Sequence, residues 1–465
     1  MRIAGILLSF ALVACASDPQ TGNNETADKG SPQQNPDQPN VPSEPGGAGG
    51  PGAPGAPSGV MCAADNGGIM LPAGFCATIF ADNLGKARRI AVTPKGYVFI
   101  AVAASTPTAG DEHVVALFDA DNDGMAEQQA MIGEIGGNGI AWRDDKLYVA
   151  ANDRIVRYEL PDGMLTPSDA TPVVLVSDLP ATPDHAAKTV VLSGPTMFVN
   201  IGSPSNSCQV ANRQLHSPGV LPCRELETRA GIWAFDADRM DQTLSCGTRV
   251  ATGMRNTNAM ALEPGNGMLW GAINGRDQLH ENWPELFTEE DDMRLPSDEV
   301  VAVTQNLDRG WPYCYHDAAA KQMKLAPEYG GDGQKQGRCA AIGQPQFALP
   351  AHAAALAMEF SSGKQFPEAF RAGAFISNHG TRFDANAMGD LHGYDVEFAP
   401  IKNGRPAGDI VKFATGFDAG MRPLPDAAPH RPVGLAMMPD GSLLIGDDKG
   451  GRVWRVFFTG SKHEK

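Results

Sequence analysis

The sequence predicts an all-β chain folded as a six-bladed β-propeller, and three observations carry that prediction. A short pattern recurs six times beyond residue 61: a turn with Gly or Asp, an apolar or aromatic strand, then small residues at its exit. No run of 12 or more residues keeps a helical period, so the crossover helices that a doubly wound sheet or a TIM barrel requires are missing. Six repeats over the part of the 465-residue chain that follows residue 60 leave about 68 residues per unit, enough for four strands and one functional loop.

The six copies are Lys95–Ile100, Asp145–Val149, Thr196–Val199, Gly267–Gly271, Ala372–Ile376 and Asp440–Ile445, with anchors Phe99, Tyr148, Phe198, Trp270, Phe375 and Leu444. Most are followed by a second alternating strand, as at Val114–Phe118, Ile155–Tyr158, Ile232–Phe235 and Val453–Val456. The wide interval between Trp270 and Phe375 places loop insertions over Leu279–Leu349. A pair of β-sandwiches is the competing architecture, but sandwiches do not repeat one aromatic strand motif six times.

Ahead of the repeats, Ile3 to Ala16 follow Arg2 without a charge. That run is shorter than the ~20 residues a membrane span needs and suits a signal peptide. It ends in Leu12-Val13-Ala14-Cys15, which resembles the lipobox of bacterial lipoproteins, where cleavage precedes a lipidated Cys. The alternative is an ordinary secretory signal cut near Ala16 or Ser17. By resemblance, Ala16 after Cys15 favours outer-membrane sorting. Asp18–Val60 holds nine Pro and nine Gly without one Leu, Ile, Phe, Tyr or Trp, so it cannot bury enough apolar surface to order itself and reads as a tether. The expected organisation is therefore a signal over 1–14, a lipid-anchored linker over 15–60, the propeller over 61–459 and a tail over 460–465.

Lys and Arg number 37 against 54 Asp and Glu, a formal charge of −17, which argues against a nucleic-acid partner. Beyond Cys15, seven cysteines remain and none forms a C-x-x-C pair. An exported compartment permits disulfides, and Cys62/Cys76, Cys208/Cys223 and Cys314/Cys339 are the near-neighbour pairings, although spacing does not fix connectivity. Cys246 is then the expected free thiol. Asp119, Asp121 and Asp123 alternate ahead of Gly124 like the start of a calcium loop. The Glu expected at the twelfth position of such a loop is Ala130, so an acidic hairpin turn is the equal alternative.

Five motifs in register carry a resemblance: Leu71-Pro72-Ala73-Gly74-Phe75, Gly253-Met254-Arg255-Asn256, Gly310-Trp311-Pro312-Tyr313-Cys314, Pro350-Ala351-His352-Ala353 and Arg431-Pro432-Val433-Gly434. In this order, over residues 69–458, the chain resembles the glucose/sorbosone dehydrogenase family, in its sorbosone-dehydrogenase-like branch. The resemblance implies a six-bladed propeller that binds pyrroloquinoline quinone and calcium over its channel and oxidises sugar hydroxyls or aldehydes, passing electrons to a membrane quinone or cytochrome. A cofactor with three carboxylates and an electrophilic quinone calls for guanidinium forks, a metal at the quinone oxygen and a base.

The resemblance places Arg255 and Asn256 on the cofactor, His185 as the catalytic base, and the main-chain carbonyls of Gly275 and Arg276 on calcium. Arg431 is a further carboxylate partner. Asn378-His379-Gly380-Thr381-Arg382-Phe383 echoes only part of a family motif whose Trp is missing here, and through it His379 and Arg382 are further cofactor contacts. Two other functions compete: a calcium-dependent lactonase, which would need carboxylate ligands in the channel, and a tethered, non-catalytic propeller that binds glycan or protein. The Leu12–Cys15 reading predicts that Cys15→Ala moves the protein from membranes to the soluble fraction with its head still folded; N-terminal sequencing that finds a start other than Cys15 on an already soluble protein refutes it.

Overall fold

A computed structural model of the chain describes residues 60–106, 109–181, 184–381, 393–419 and 427–460. The signal, Cys15, the tether before residue 60 and Arg382 lie outside the described residues. Six of the seven sheets among the described strands are the blades of a ring, and the four blade strands of each run antiparallel to their neighbours. Blade 1 is Lys86–Val92, Val98–Ala103, His113–Phe118 and Gln128–Ile132; blade 2 is Gly139–Arg143, Lys146–Ala150, Ile155–Glu159 and Val173–Val176. Blade 3 is Val190–Ser193, Thr196–Ile201, Gly231–Asp236 and Thr248–Thr252; blade 4 is Ala259–Leu262, Leu269–Ile273, Ser297–Val303 and Phe347–Ala351. Blade 5 is Ala355–Phe360, Gly373–Asn378, Asp395–Lys402 and Val411–Ala414. Blade 6 takes Pro432–Met437, Leu443–Asp447 and Val453–Phe458 from the C-terminal end and Phe75–Ala81 from the N-terminal end.

The first strand of every blade packs against the first strands of its two neighbours, so these six line the central channel. All six anchors fall on second strands, and each anchor faces a different blade-to-blade seam. Phe99 packs between blades 1 and 2, Tyr148 between 2 and 3, Phe198 between 3 and 4, Trp270 between 4 and 5, Phe375 between 5 and 6 and Leu444 between 6 and 1. The strand period of two explains the pattern: Phe99 and Ala101 face blade 2 while Val98, Ile100 and Val102 face blade 6. Both faces of a blade are covered, so these strands read as continuous apolar runs.

Val303 ends the third strand of blade 4, and the chain then returns beside blade 3, where Leu307–Asp308 pairs in parallel with Ala251 and Thr252. The excursion predicted over Leu279–Leu349 holds the helices Leu279–Asn282 and Glu289–Arg294 and the hairpin Cys314–Asp317/Gln322–Leu325. With the loop after Ile201 it forms a separate apolar cluster around Trp311, Tyr313 and both disulfides of this region. The bridges Cys62–Cys76, Cys208–Cys223 and Cys314–Cys339 match the near-neighbour pairing. Cys246 corrects the expectation of a free thiol, since it is itself disulfide-bonded.

Full burial sets the cost of losing an anchor. Trp270 is 0% exposed and Phe198 only partly buried. Trp270→Ala is expected to cost about 3–5 kcal/mol in denaturant unfolding and Phe198→Ala clearly less, because less of its ring leaves water on folding.

Candidate functional site

The six channel strands begin at the same end of the ring, and the second strands of the blades finish there. The functional side chains occupy these entries and exits. His185 precedes the first strand of blade 3, and its backbone is left-handed, with φ of 51°. The Ser203 carbonyl lies 2.8 Å from His185 Nδ1. A carbonyl can only accept, so Nδ1 carries the proton and Nε2 presents a lone pair. Burial, then repulsion by Arg255, pushes the His185 pKa down to about 3. The ring's position requires a glycine opposite, because a Cβ on Gly202 would lie 2.5 Å from His185 Cβ. Lys188, fully buried, donates from Nζ to the carbonyls of Pro180 and Ala186 and pins the loop that carries His185.

Arg255 and Asn256 enter blade 4 and are buried. All five guanidinium N–H groups of Arg255 meet protein acceptors. Nε donates to Asn206 O at 3.2 Å, Nη1 to Gly275 O at 2.6 Å and Asn274 O at 3.5 Å, and Nη2 to Asn206 Oδ1 and Asp277 Oδ2, both at 3.0 Å. Asn206 is held in turn by Trp311, whose Nε1 donates to its carbonyl at 2.9 Å, so the disulfide-braced insertion positions the arginine.

Asp277 is the centre of charge in the cavity. Burial alone would raise its pKa, but Arg255, His352 and Arg213 together hold it well below the ordinary carboxylate range. His352 Nδ1 lies 3.4 Å from Asp277 Oδ1, and Nε2 donates to Asp292 O at 2.7 Å. Burial works against the His352 charge, yet Asp277 wins and its pKa is raised. Asp298 accepts from Gly275 N at 2.8 Å and from Ala354 N at 3.0 Å, tying the blade 4 exit to the blade 5 entry. Burial pushes its pKa up to about 6.

These groups line one cavity of about 190 Å³, bounded by His185, Arg255, Asn256, Asn274, Gly275, Asp277, Asp298, His352, Ala354 and Gly380. Two buried amide oxygens there, Asn256 Oδ1 and Asn274 Oδ1, have no hydrogen-bond partner. At the neighbouring exits of blades 5 and 6, His379 Nε2 donates to Asp448 Oδ1 at 2.8 Å, and Arg88 from blade 1 pairs with the same carboxylate. Burial, only partly offset by Asp448, lowers the His379 pKa. Arg431 donates from Nε to His379 O at 2.9 Å and from Nη2 to Gly380 O at 2.8 Å. Deeper in the channel, Arg89 reaches across to Thr189 Oγ1 and Asn258 O and lines a second cavity of about 410 Å³.

Of the sequence-predicted residues, His185, Arg255, Asn256 and Gly275 share the cavity, and His379 and Arg431 join it through Gly380. The Arg276 side chain turns away to a bidentate contact with Glu328 at 2.6 Å. Asp119, Asp121 and Asp123 sit past Phe118 at the opposite end of blade 1. Sequence reasoning missed Asn274, Asp277, Asp298, His352, Arg88 and Asp448. A positional signal marks two of them: Asn274 and Asp448, like Gly202 and the predicted His379, stand just past a second strand, so the exit of every repeat is a candidate position. His352 lies inside the motif Pro350–Ala353 without having been read as part of the site.

A family model described as TrAA12-like matches residues 69–457. An uncharacterized protein of Borreliella burgdorferi is 24% identical over 407 residues, covering 84% of this chain and 91% of that protein. Among solved structures, the iodide structure of a Trichoderma reesei family AA12 carbohydrate-active enzyme superposes with a TM-score of 0.67 at 19% identity, over 84% of this chain and 98% of that one. The holo form of the pyranose dehydrogenase PQQ domain from Coprinopsis cinerea gives 0.64 at 17% identity, over 84% and 97% of the two chains. The apo soluble aldose sugar dehydrogenase from Escherichia coli gives 0.51 at 14%, over 83% and 99%. At these identities the structural likeness establishes the six-bladed fold.

The two histidines of the cavity should titrate in opposite directions. By NMR, His185 is expected to stay neutral from pH 8 to 5, and His352 to keep its proton above the ordinary histidine pKa. The His352 contribution to stability is present below that ordinary value and is lost as pH rises through the raised one. Asp277→Asn should lower the His352 pKa, since burial is then opposed only by the Asp292 carbonyl and Asp298.

Proposed function

We propose that this chain, which belongs to the TrAA12-like family, is a quinoprotein oxidoreductase that uses pyrroloquinoline quinone and calcium in the upper cavity to oxidise a sugar, polyol or aldehyde. The observation that carries the reading is His185: a neutral imidazole, its tautomer set by the Ser203 carbonyl, lining a cavity that also holds unpartnered amide oxygens and buried cations.

The residues fit both groups. Asn256 Oδ1 and Asn274 Oδ1 are hard oxygen donors of the kind calcium takes, and the Gly275 carbonyl, bonded once to Arg255, retains a second lone pair. Arg255 and His352 in the cavity, with Arg431 and Arg88 at the adjoining blade ends, supply positive charge for carboxylates, and Asp277, Asp298 and Asp448 stand against them. Because all the Arg255 donors are engaged, its part is to place the Gly275 carbonyl and to lend charge at short range. When bound, the quinone accepts a hydride from the substrate carbon.

His185 Nε2 then receives the hydroxyl proton, and Nδ1–H stays on Ser203 so that the ring keeps its orientation. A pKa of about 3 makes His185 a weak base while the cavity holds no anion. Carboxylates beside Arg255 would offset its repulsion, the second cause of the low value after burial, and so raise the pKa of the base. Nearby Lys188 keeps the His185 loop from yielding.

A lactonase would need carboxylates free of cations around its calcium; Asp277 is taken by Arg255 and His352, so the cavity favours the quinoprotein reading. The sorbosone-like branch rests on the five motifs alone, and anchoring in a bacterial envelope through Cys15 rests on the first 60 residues.

Reconstitution with calcium and the quinone should shift the quinone absorbance. His185→Asn should then lower turnover with an artificial electron acceptor by about 10²-fold or more, with quinone affinity nearly intact. Equal turnover in the variant excludes His185 as base; quinone binding without turnover on any aldose, ketose or aldehyde leaves the glycan- or protein-binding propeller as the better reading.

A further inference from the structure

Asp119–Glu127 joins the third and fourth strands of blade 1, at the end of the blade away from His185. A twelve-residue loop frame does not describe it. Phe118 pairs with Gln128, so the hairpin closes after Glu127, and Ala130 lies inside the returning strand. Glu127 folds back on the turn, its Oε2 accepting from Ala120 N at 2.8 Å. One oxygen from each of Asp119, Asp121, Asp123 and Glu127 lies within 4.8 Å of the others. Four carboxylates that close repel one another, and the cation bonded to the group is Arg455, which Asp119 shares with Asp440.

A second observation points to a missing ligand. Asp119 is only 6% exposed. Its Oδ2 accepts from Arg455 Nη1 at 2.7 Å and from Gly124 N at 3.1 Å, yet Oδ1 is buried with no partner. An unsatisfied buried carboxylate oxygen is costly, and native proteins rarely leave one so.

We propose that the Asp119–Glu127 hairpin binds a structural calcium ion, separate from the quinone site and independent of the proposed oxidoreductase activity. The donors are all oxygens, which excludes the zinc and copper chemistry of thiolate and imidazole sites. Several carboxylates on a short flexible turn suit the loose six-to-eight-oxygen shell of calcium better than the strict octahedron of magnesium.

The position gives the ion a task. Ala126 N donates to Phe80 O at 2.9 Å, and a Cβ on Gly124 (φ 100°) would lie 3.1 Å from Thr78 Cγ2. Thr78 and Phe80 belong to Phe75–Ala81, the N-terminal strand that closes the ring, so calcium in the hairpin braces that strand against blade 1.

Calcium titrated into the chelator-treated chain, without quinone, should bind at this hairpin with a Kd of about 10⁻⁴–10⁻³ M and raise Tm. Asp121→Asn with Asp123→Asn should lose this ion or weaken it by about tenfold or more, and Glu127→Gln serves as a second variant at the other end of the turn. Asn256→Ala should leave the same ion bound, which separates the two sites. Calcium stoichiometry and Tm rise that match wild type in both hairpin variants overturn the proposal, as does a wild-type chain that binds no calcium under these conditions.

Discussion

Ring closure is the constraint on which the rest of this molecule depends. A blade whose two faces are both apolar cannot end at water, so six blades are stable only if the last meets the first. Closure joins distant parts of the chain: Phe75 pairs with Phe458, and Ala81 with Val453. The joint is reinforced locally. Phe75 sits edge-on to Phe366, Phe370, Phe413 and Phe458 at 5.0–5.4 Å, Trp454 Nε1 donates to Gly67 O at 3.0 Å, and Cys62–Cys76 ties the lead-in to the closing strand. Because each seam holds one anchor, damage at one seam loosens the shared ring and not a single sheet.

The same closure creates the site. Strand entries and exits from five blades are brought within hydrogen-bond reach only when the ring is complete, as in the chain Arg88–Asp448–His379–Arg431 and in the Asp298 contacts that bridge blades 4 and 5. Side chains at strand ends inherit the rigidity of the sheets, which holds His185 and the amide oxygens in fixed positions. The insertion adds a second layer of control, since Trp311 and the two disulfides around it determine where Asn206 stands, and Asn206 takes two of the Arg255 contacts.

Electrostatics in the cavity run against the protein as a whole. The chain carries a formal charge of −17, a field that repels anions at long range, yet Arg255 and His352 line the cavity and Arg431 and Arg88 stand at the adjoining blade ends. Burial lets these cations act strongly over short distances where salt screens little. Asp277 and Asp448 keep the cluster from destabilising the ring, and each is held ionised by the cations it serves.

The sequence by itself determined the architecture. Continuous apolar runs along Lys95–Ile100 and its five counterparts, with no helical period, already imply doubly covered strands, and the anchors all fall on second strands because one strand position repeats in every blade. His185, Arg255, Asn256, His379 and Arg431 could be named from the sequence because the resemblance carries each of them over, and the structure sets them in or beside one cavity. Tertiary structure alone decided the rest. That Asp277 and His352 share a charge, that Asp298 bridges two blades and that Arg255 is fully engaged by protein acceptors depend on contacts across 20 to 75 residues of sequence. Glu127 shows the same limit at short range, since the hairpin register, set by Phe118 meeting Gln128, brings it back to the acidic turn. Spacing along a chain reports which residues share a strand face, whereas which strand ends meet is fixed only when every apolar face has found its cover.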